Sequence, residues 1–215
     1  MYRSTTQTFT CPCGQEFQDT IYEYVNVAQE PRLRYVVLAG LLNVATCPIC
    51  GRKAAVGRPF IYSDPDHELL VYVHPRADAP EEARQLILER LRSVYLNIAN
   101  GQQAEQHVDE GDGGRAVEMT PGQAQEMPPL KVAFGLDQLV ELINADLDPE
   151  ERLGKLAMST HSRDTAERGQ FFAIARKLAV EMECGVEVED LPDEYTVWLY
   201  GPRRRIGSLM RSLAL

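Results

Sequence analysis

The chain has 215 residues, 44% hydrophobic and 25% charged, with a net charge of −10. This is ordinary for a folded globular protein and long enough for two domains. The acidic balance argues against nonspecific binding to nucleic acid or to a membrane surface, both of which need a basic face, and no stretch has the length of a transmembrane span. The start, Met-Tyr-Arg-Ser-Thr-Thr-Gln-Thr, lacks the apolar run of a secretory leader, so a cytoplasmic location is expected.

In chain order, residues 5–10 read as a strand leading into the turn Cys11-Pro12-Cys13-Gly14. Residues 17–27, rich in Tyr, Ile and Val, read as a strand leaving it. Pro31 opens a helix with Leu33, Val36, Val37, Gly40 and Leu41 at helical spacing. Residues 43–46 lead into a second turn, Cys47-Pro48-Ile49-Cys50-Gly51. Residues 58–62 and 69–74 predict a hairpin closed by Ser63-Asp64-Pro65-Asp66-His67. Pro80-Glu81-Glu82 begins a long helix whose stripe of Leu86, Ile87, Leu91, Val94, Tyr95 and Ile98 is expected to face the core.

Residues 101–129 carry six acids against one arginine, with no hydrophobic period and no aromatic residue. They read as an acidic flexible linker between an N-terminal domain (1–100) and a C-terminal domain (130–215). In the latter, 130–134 predicts a strand and 136–143 a helix. Asp148-Pro149-Glu150-Glu151 has the form of a helix start, Asp at the N-cap and Pro at the first helical position. A helix over 165–183, paired strands over 186–189 and 195–200, and a short amphipathic helix over 206–215 complete an α+β unit. The overall expectation is an α+β fold: a zinc-ribbon-containing N-terminal domain and a small α+β C-terminal domain.

The four paired cysteines are the most specific signal. In each pair Pro fixes a turn and Gly permits φ > 0 just after the second sulfur. Such turns are zinc knuckles, and two of them supply the soft donors of a closed tetrahedral site. Cys11, Cys13, Cys47 and Cys50 are therefore the expected ligands of a structural Zn²⁺. Four thiolates leave no open position for catalysis, and Pro knuckles closed by Gly suit zinc ribbons better than iron–sulfur loops. The first knuckle, Cys-Pro-Cys, is one residue shorter than the second. Cys184 has no basic neighbour in sequence and reads as a small buried hydrophobe.

Taken in order, Cys-Pro-Cys-Gly-Gln-Glu-Phe, Val25-Asn26-Val27, Pro31-Arg32-Leu33, Gly40-Leu41-Leu42-Asn43, the second knuckle, Tyr62-Ser63-Asp64 and Pro75 resemble the bacterial CpXC domain over roughly residues 6–100. The resemblance implies two CPxC-type metal-binding motifs, with the ligand role falling on the four cysteines, and no established activity.

His67, His74, His107 and His161 lie in no metal or triad spacing, and the neighbours Ser159, Ser162 and Asp164 of His161 read as helix caps rather than catalytic partners. Arg203-Arg204-Arg205, with Arg211, is the one basic cluster. It is expected to pair with Asp190, Asp193 and Glu194, the alternative being RNA phosphate contacts. The sequence thus predicts a non-enzymatic zinc protein that binds another protein, with no catalytic or cofactor-binding residues beyond the metal ligands. The alternatives are an RNA- or ribosome-associated factor and an enzyme with a site between the two domains.

Overall fold

The computed structural model describes residues 3–99, 128–191 and 193–213; the expected linker lies almost wholly outside them. Strands β1 (Arg3–Thr10) and β2 (Glu16–Asn26) form a long antiparallel hairpin with Phe9 opposite Phe17. Helix α1 (Arg32–Leu38) follows, then a short antiparallel hairpin of β3 (Val44–Thr46) and β4 (Lys53–Ala55). The predicted hairpin forms from β5 (Phe60–Asp64) and β6 (Leu69–His74), joined through a 3-10 turn at Pro65–His67. Both strands are nearly continuously buried, as the centre of a sheet covered on both faces requires. Beyond them come α2 (Glu81–Ala99), β7 (Leu130–Phe134), α3 (Leu136–Asp146), β8 (Leu153–Thr160), α4 (Thr165–Glu181), β9 (Gly185–Asp190), β10 (Tyr195–Pro202) and α5 (Arg203–Leu213). The fold is α+β.

The main sheet has the order β1-β2-β5-β6-β7, and β8-β10-β9 form a second, antiparallel sheet. Strand β7 corrects the expected division of the chain. It pairs in parallel with β6, Leu70 opposite Leu130 and His74 opposite Phe134, so the N-terminal sheet takes its last strand from beyond residue 129. The turn after β7 is fitted to the same unit. Gly135 has φ +86°, and a Cβ there would stand 2.7 Å from that of Ala77.

The hydrophobic interior crosses the same boundary. One cluster joins Val25, Leu33, Val37, Tyr62, Val71 and Val73 to Leu139, Ile143 and Leu147 of the second half, and reaches Tyr200. Helix α1 lies between α3 and the sheet of β9 and β10. A second cluster, with Ala175, Ala179, Val197, Leu199 and Ile206, fills the space under α4 and α5. Cys184 is buried within it, as expected, and burial pushes its thiol up to about 11.

Two local expectations give way to tertiary pairing. The helix-like signal at 148–151 is a turn, with the N–H groups of Glu151 and Arg152 donating to the Asp148 carbonyl. It leads into β8, whose pairing with β10 outweighs the local cap signal. The carbonyls of Glu150 and Arg152 then accept the N–H groups of Arg204 and Arg203, satisfying two donors at the start of α5. The part of the α2 stripe from Leu86 to Val94 is not a core face: no side chain from Glu81 to Val94 is buried, and Leu86 is 67% exposed; the side chains of Tyr95 and Ile98 lie outside the described ones. The helix is anchored at its base, where Arg84 donates to the carbonyls of Ala77 and Ala79 and stacks 4.9 Å from the Phe134 ring.

A buried carboxylate fastens α1 to the main sheet. Asp64 is fully buried and accepts two bonds from Arg34, at 2.9 and 3.0 Å, with the Tyr62 hydroxyl and His67 Nδ1 completing its shell. Burial disfavours the Arg34 charge, but Asp64 and Tyr62 together outweigh it and hold the guanidinium more firmly protonated than usual. The cluster continues to the turn that precedes β8. Glu151 lies 3.9 Å from His67 Nε2 and 3.2 Å from Arg204, and its carbonyl accepts from the Tyr35 hydroxyl.

Two outcomes follow from this architecture. A fragment ending at residue 129 lacks β7 and α3, and is expected to lose the cooperative thermal unfolding of the full chain; retention of a cooperative transition in calorimetry would restore the expected boundary. Asp64→Ala leaves the Arg34 charge uncompensated and should cost about 3–5 kcal/mol in denaturant unfolding, against less than about 1 kcal/mol for an exposed ion pair.

Candidate metal centre

Each knuckle grows from a hairpin. The first is the tip of the β1–β2 hairpin: Cys11 N–H donates to the Gln15 carbonyl at 2.8 Å, and Gly14 N–H returns to the Cys11 carbonyl at 2.8 Å. The second joins β3 to β4 by the same exchange, Cys47 N–H to the Arg52 carbonyl at 2.9 Å and Gly51 N–H to the Cys47 carbonyl at 3.0 Å. The missing residue of the first knuckle is absorbed in the turn, which closes over three residues instead of four. Gly14 and Gly51 have φ of +89° and +67°, the left-handed conformation their positions call for.

The turns face each other. Cys11 Sγ lies 3.5 Å from Cys50 Sγ, and Cys13 Sγ lies 3.7 Å from Cys47 Sγ. All four sulfurs fall within 4.8 Å of one another. A regular tetrahedron with metal–sulfur bonds of about 2.3 Å has sulfur–sulfur edges of about 3.8 Å. The spacing therefore fits a single ion held by four thiolates, and it is far too long for disulfides. The structure thus brings together all four cysteines singled out in the sequence. Cys11 and Cys47 are buried, while Cys13 and Cys50 are exposed.

The electrostatics divide the sulfurs. The N–H groups of Cys50 and Ile49 point at Cys47 and, against burial, pull its thiol down to about 6. At Cys11 the Cys13 N–H also favours the thiolate, but burial and the sulfurs of Cys13, Cys50 and Cys47 together push it up to about 12. A bound cation removes the opposition to a thiolate at Cys11, since a coordinating thiol is deprotonated outright. The donor set thus fits a soft divalent ion.

A residue with no sulfur sets the position of the second knuckle. Asn43, 7% exposed and at φ +55°, bonds the backbone of Tyr22 on β2 in both directions. Its Oδ1 accepts from Tyr22 N–H at 2.7 Å, and its Nδ2 donates to the Tyr22 carbonyl at 2.9 Å. Its own carbonyl accepts from Val56 N–H beyond β4. Asp19 on β2 adds a bond to Thr46 N–H at 3.3 Å. In the sequence Asn43 stands only as the first residue leading into the second knuckle and as the last of the motif Gly40-Leu41-Leu42-Asn43. The available signal was an Asn, the non-Gly residue most at ease at positive φ, closing Gly40-Leu41-Leu42-Asn43.

Of the other candidates, His161 Nδ1 meets the Asp193 carbonyl at 3.3 Å, Ser159 bonds Thr196, and Asp164 caps α4 by accepting from Ala166 N–H. These residues serve as caps and cross-strand bonds, not as a triad. The expected acid partners of the arginine cluster are corrected. Arg204 pairs with Glu151 at 3.2 Å and Arg205 with Glu183 at 2.7 Å, whereas Asp190 and Asp193 pair with Arg168 and Arg163. His67 belongs to the Asp64 cluster, and His107 lies outside the described residues.

The family model described as CpXC protein matches residues 9–152, more than half of the chain and well past residue 100, where the resemblance in the sequence ended. The match includes β7, which completes the main sheet, and ends just before β8. No curated protein and no solved structure matches the chain.

Asn43→Ala removes both side-chain bonds to the Tyr22 backbone, at an expected cost of about 1–3 kcal/mol. Because the clamp aligns the knuckles, the affinity for an added divalent metal ion, measured by competition with a chromogenic chelator, should fall as well. Unchanged affinity would show that the sulfurs align without it.

Proposed function

The chain belongs to the CpXC protein family, and we propose that it is a non-enzymatic zinc protein: the ion fastens the two N-terminal hairpins, and the stiffened knuckle surface docks another protein. The observation that carries this reading is the convergence of four sulfurs at tetrahedral spacing. Zinc is the ion whose structural sites most often take four Cys ligands, and such a closed shell leaves no coordination position for substrate or activated water. The reading as a non-enzyme rests on that shell. Unbridged thiolates suit a reducing compartment such as the cytoplasm.

The partner reading rests on Ile49, 71% exposed at the tip of the second knuckle between two ligands. A large apolar side chain held out on a rigid turn costs little entropy to dock. A protein suits this surface better than RNA. The net charge opposes phosphate at long range, and two arginines of the only basic run are already engaged with Glu151 and Glu183.

Protein purified without chelator should carry one zinc per chain by elemental analysis, and strong chelation should abolish cooperative unfolding of the N-terminal sheet. Metal-free protein with unchanged stability would refute the structural role. Ile49→Asp should keep the zinc and lose most of the partner captured from native lysate. Undiminished capture would move the docking surface elsewhere.

A further inference from the structure

The arrangement of exposed and buried sulfurs bears on what happens when the centre meets an oxidant. Each sulfur pair in hydrogen-bond geometry crosses from one knuckle to the other: Cys11 faces Cys50 at 3.5 Å, and Cys13 faces Cys47 at 3.7 Å. Each pair also joins one exposed sulfur to one buried sulfur. Hydrogen bonds to β2 also help to hold the second knuckle in register with the first: the Asn43 clamp on Tyr22 and the Asp19 bond to Thr46. We propose that the centre is a reversible redox site: a peroxide converts it into two cross-knuckle disulfides, Cys11–Cys50 and Cys13–Cys47, which expel the metal but keep the hairpins joined. The proposal rests on the metal reading for the release step and on the sulfur geometry alone for the pairing.

The chemistry balances with the peroxide as the only oxidant. The exposed thiolate of Cys50 attacks one peroxide oxygen, forming an S–O bond and breaking the O–O bond. This gives a sulfenic acid and hydroxide. The facing thiolate of Cys11 then attacks the sulfenic sulfur, forming the S–S bond and expelling a second hydroxide. Each peroxide takes two electrons from one pair of sulfurs. A second peroxide does the same at Cys13 and Cys47. The ion leaves because a disulfide sulfur is no longer an anionic donor. A thiol reductant reverses both bridges and restores the four ligands.

The geometry sets this outcome apart from the bridge that a C-x-x-C sequence invites, Cys47 to Cys50 within one knuckle. That bridge would leave Cys11 and Cys13 stranded on the other hairpin, with nothing covalent between the two. Cross-knuckle bridges instead preserve the tether, so oxidised protein should keep its fold.

The test uses the full-length wild-type chain. Metal content is first measured, and the protein is then titrated with hydrogen peroxide. Released zinc is followed with a chromogenic chelator, circular dichroism is recorded, and proteolytic peptides are mapped by mass spectrometry before and after reduction. The expected result is stoichiometric zinc release, peptides joining Cys11 to Cys50 and Cys13 to Cys47, unchanged secondary structure, and recovery of zinc binding after dithiothreitol. A Cys47–Cys50 bridge, sulfinic or sulfonic acids at these positions, or thiols that survive peroxide doses oxidising free glutathione would overturn the proposal. If the starting protein holds no metal yet forms the cross-knuckle bridges, the zinc reading fails and the pairing stands. If it holds zinc and forms other bridges, the pairing fails alone.

Discussion

The meeting of two hairpin tips is the constraint on which the N-terminal half depends. The β3–β4 hairpin is a small two-stranded sheet, joined by ladder bonds to no other strand among the described residues. A hairpin of that size is marginal by itself in water. It is held from two sides: Asn43 and Asp19 bind its backbone to β2, and the cysteines carry four sulfurs into one volume. Without a cation the crowded sulfurs and burial hold the Cys11 thiol well above its ordinary value. With one, the same crowding becomes the strongest tie in the region.

A chain of side chains leads from this tie into the second half. Lys53 on β4 pairs with Glu187 on β9, and Glu187 accepts from the Tyr200 hydroxyl on β10. Tyr200 in turn belongs to the main hydrophobic cluster. On the other side of α1, the Asp64 cluster reaches Glu151 and Arg204. Polar contacts thus tie the second sheet to the β3–β4 hairpin through Lys53 and Glu187, and the Asp64 cluster to the start of α5 through Glu151 and Arg204. The single tryptophan, Trp198 on β10, packs against the main hydrophobic cluster.

Much of this was legible locally. The cysteine pairs, the Gly that follows each, the β5–β6 hairpin with its Asp-Pro turn and the long helix opened by Pro80 each declare themselves within a few residues. What was hidden is nonlocal. Nothing in Leu130–Phe134 says that it pairs in parallel with Leu69–His74, because the acidic run between them looks like a boundary and parallel pairing leaves no turn signature. Strand β8 was masked by Asp148-Pro149-Glu150-Glu151, a sound cap sequence put to use as a turn that receives the N–H groups of α5. The stripe on α2 has core periodicity without core burial, since periodicity reports which face is apolar and not what covers it. Among the candidate site residues, the sulfurs were readable from spacing. Asn43 was not, because its role lies in a contact with Tyr22 that only the fold creates.

The central claim is that one zinc ion is held by Cys11, Cys13, Cys47 and Cys50 and by nothing else. X-ray absorption at the zinc edge of the purified, chelator-free protein tests it most directly. The account predicts a single shell of four sulfurs at about 2.3 Å with no light-atom ligand. A first shell containing nitrogen or oxygen donors, or a sulfur count below four, would contradict it.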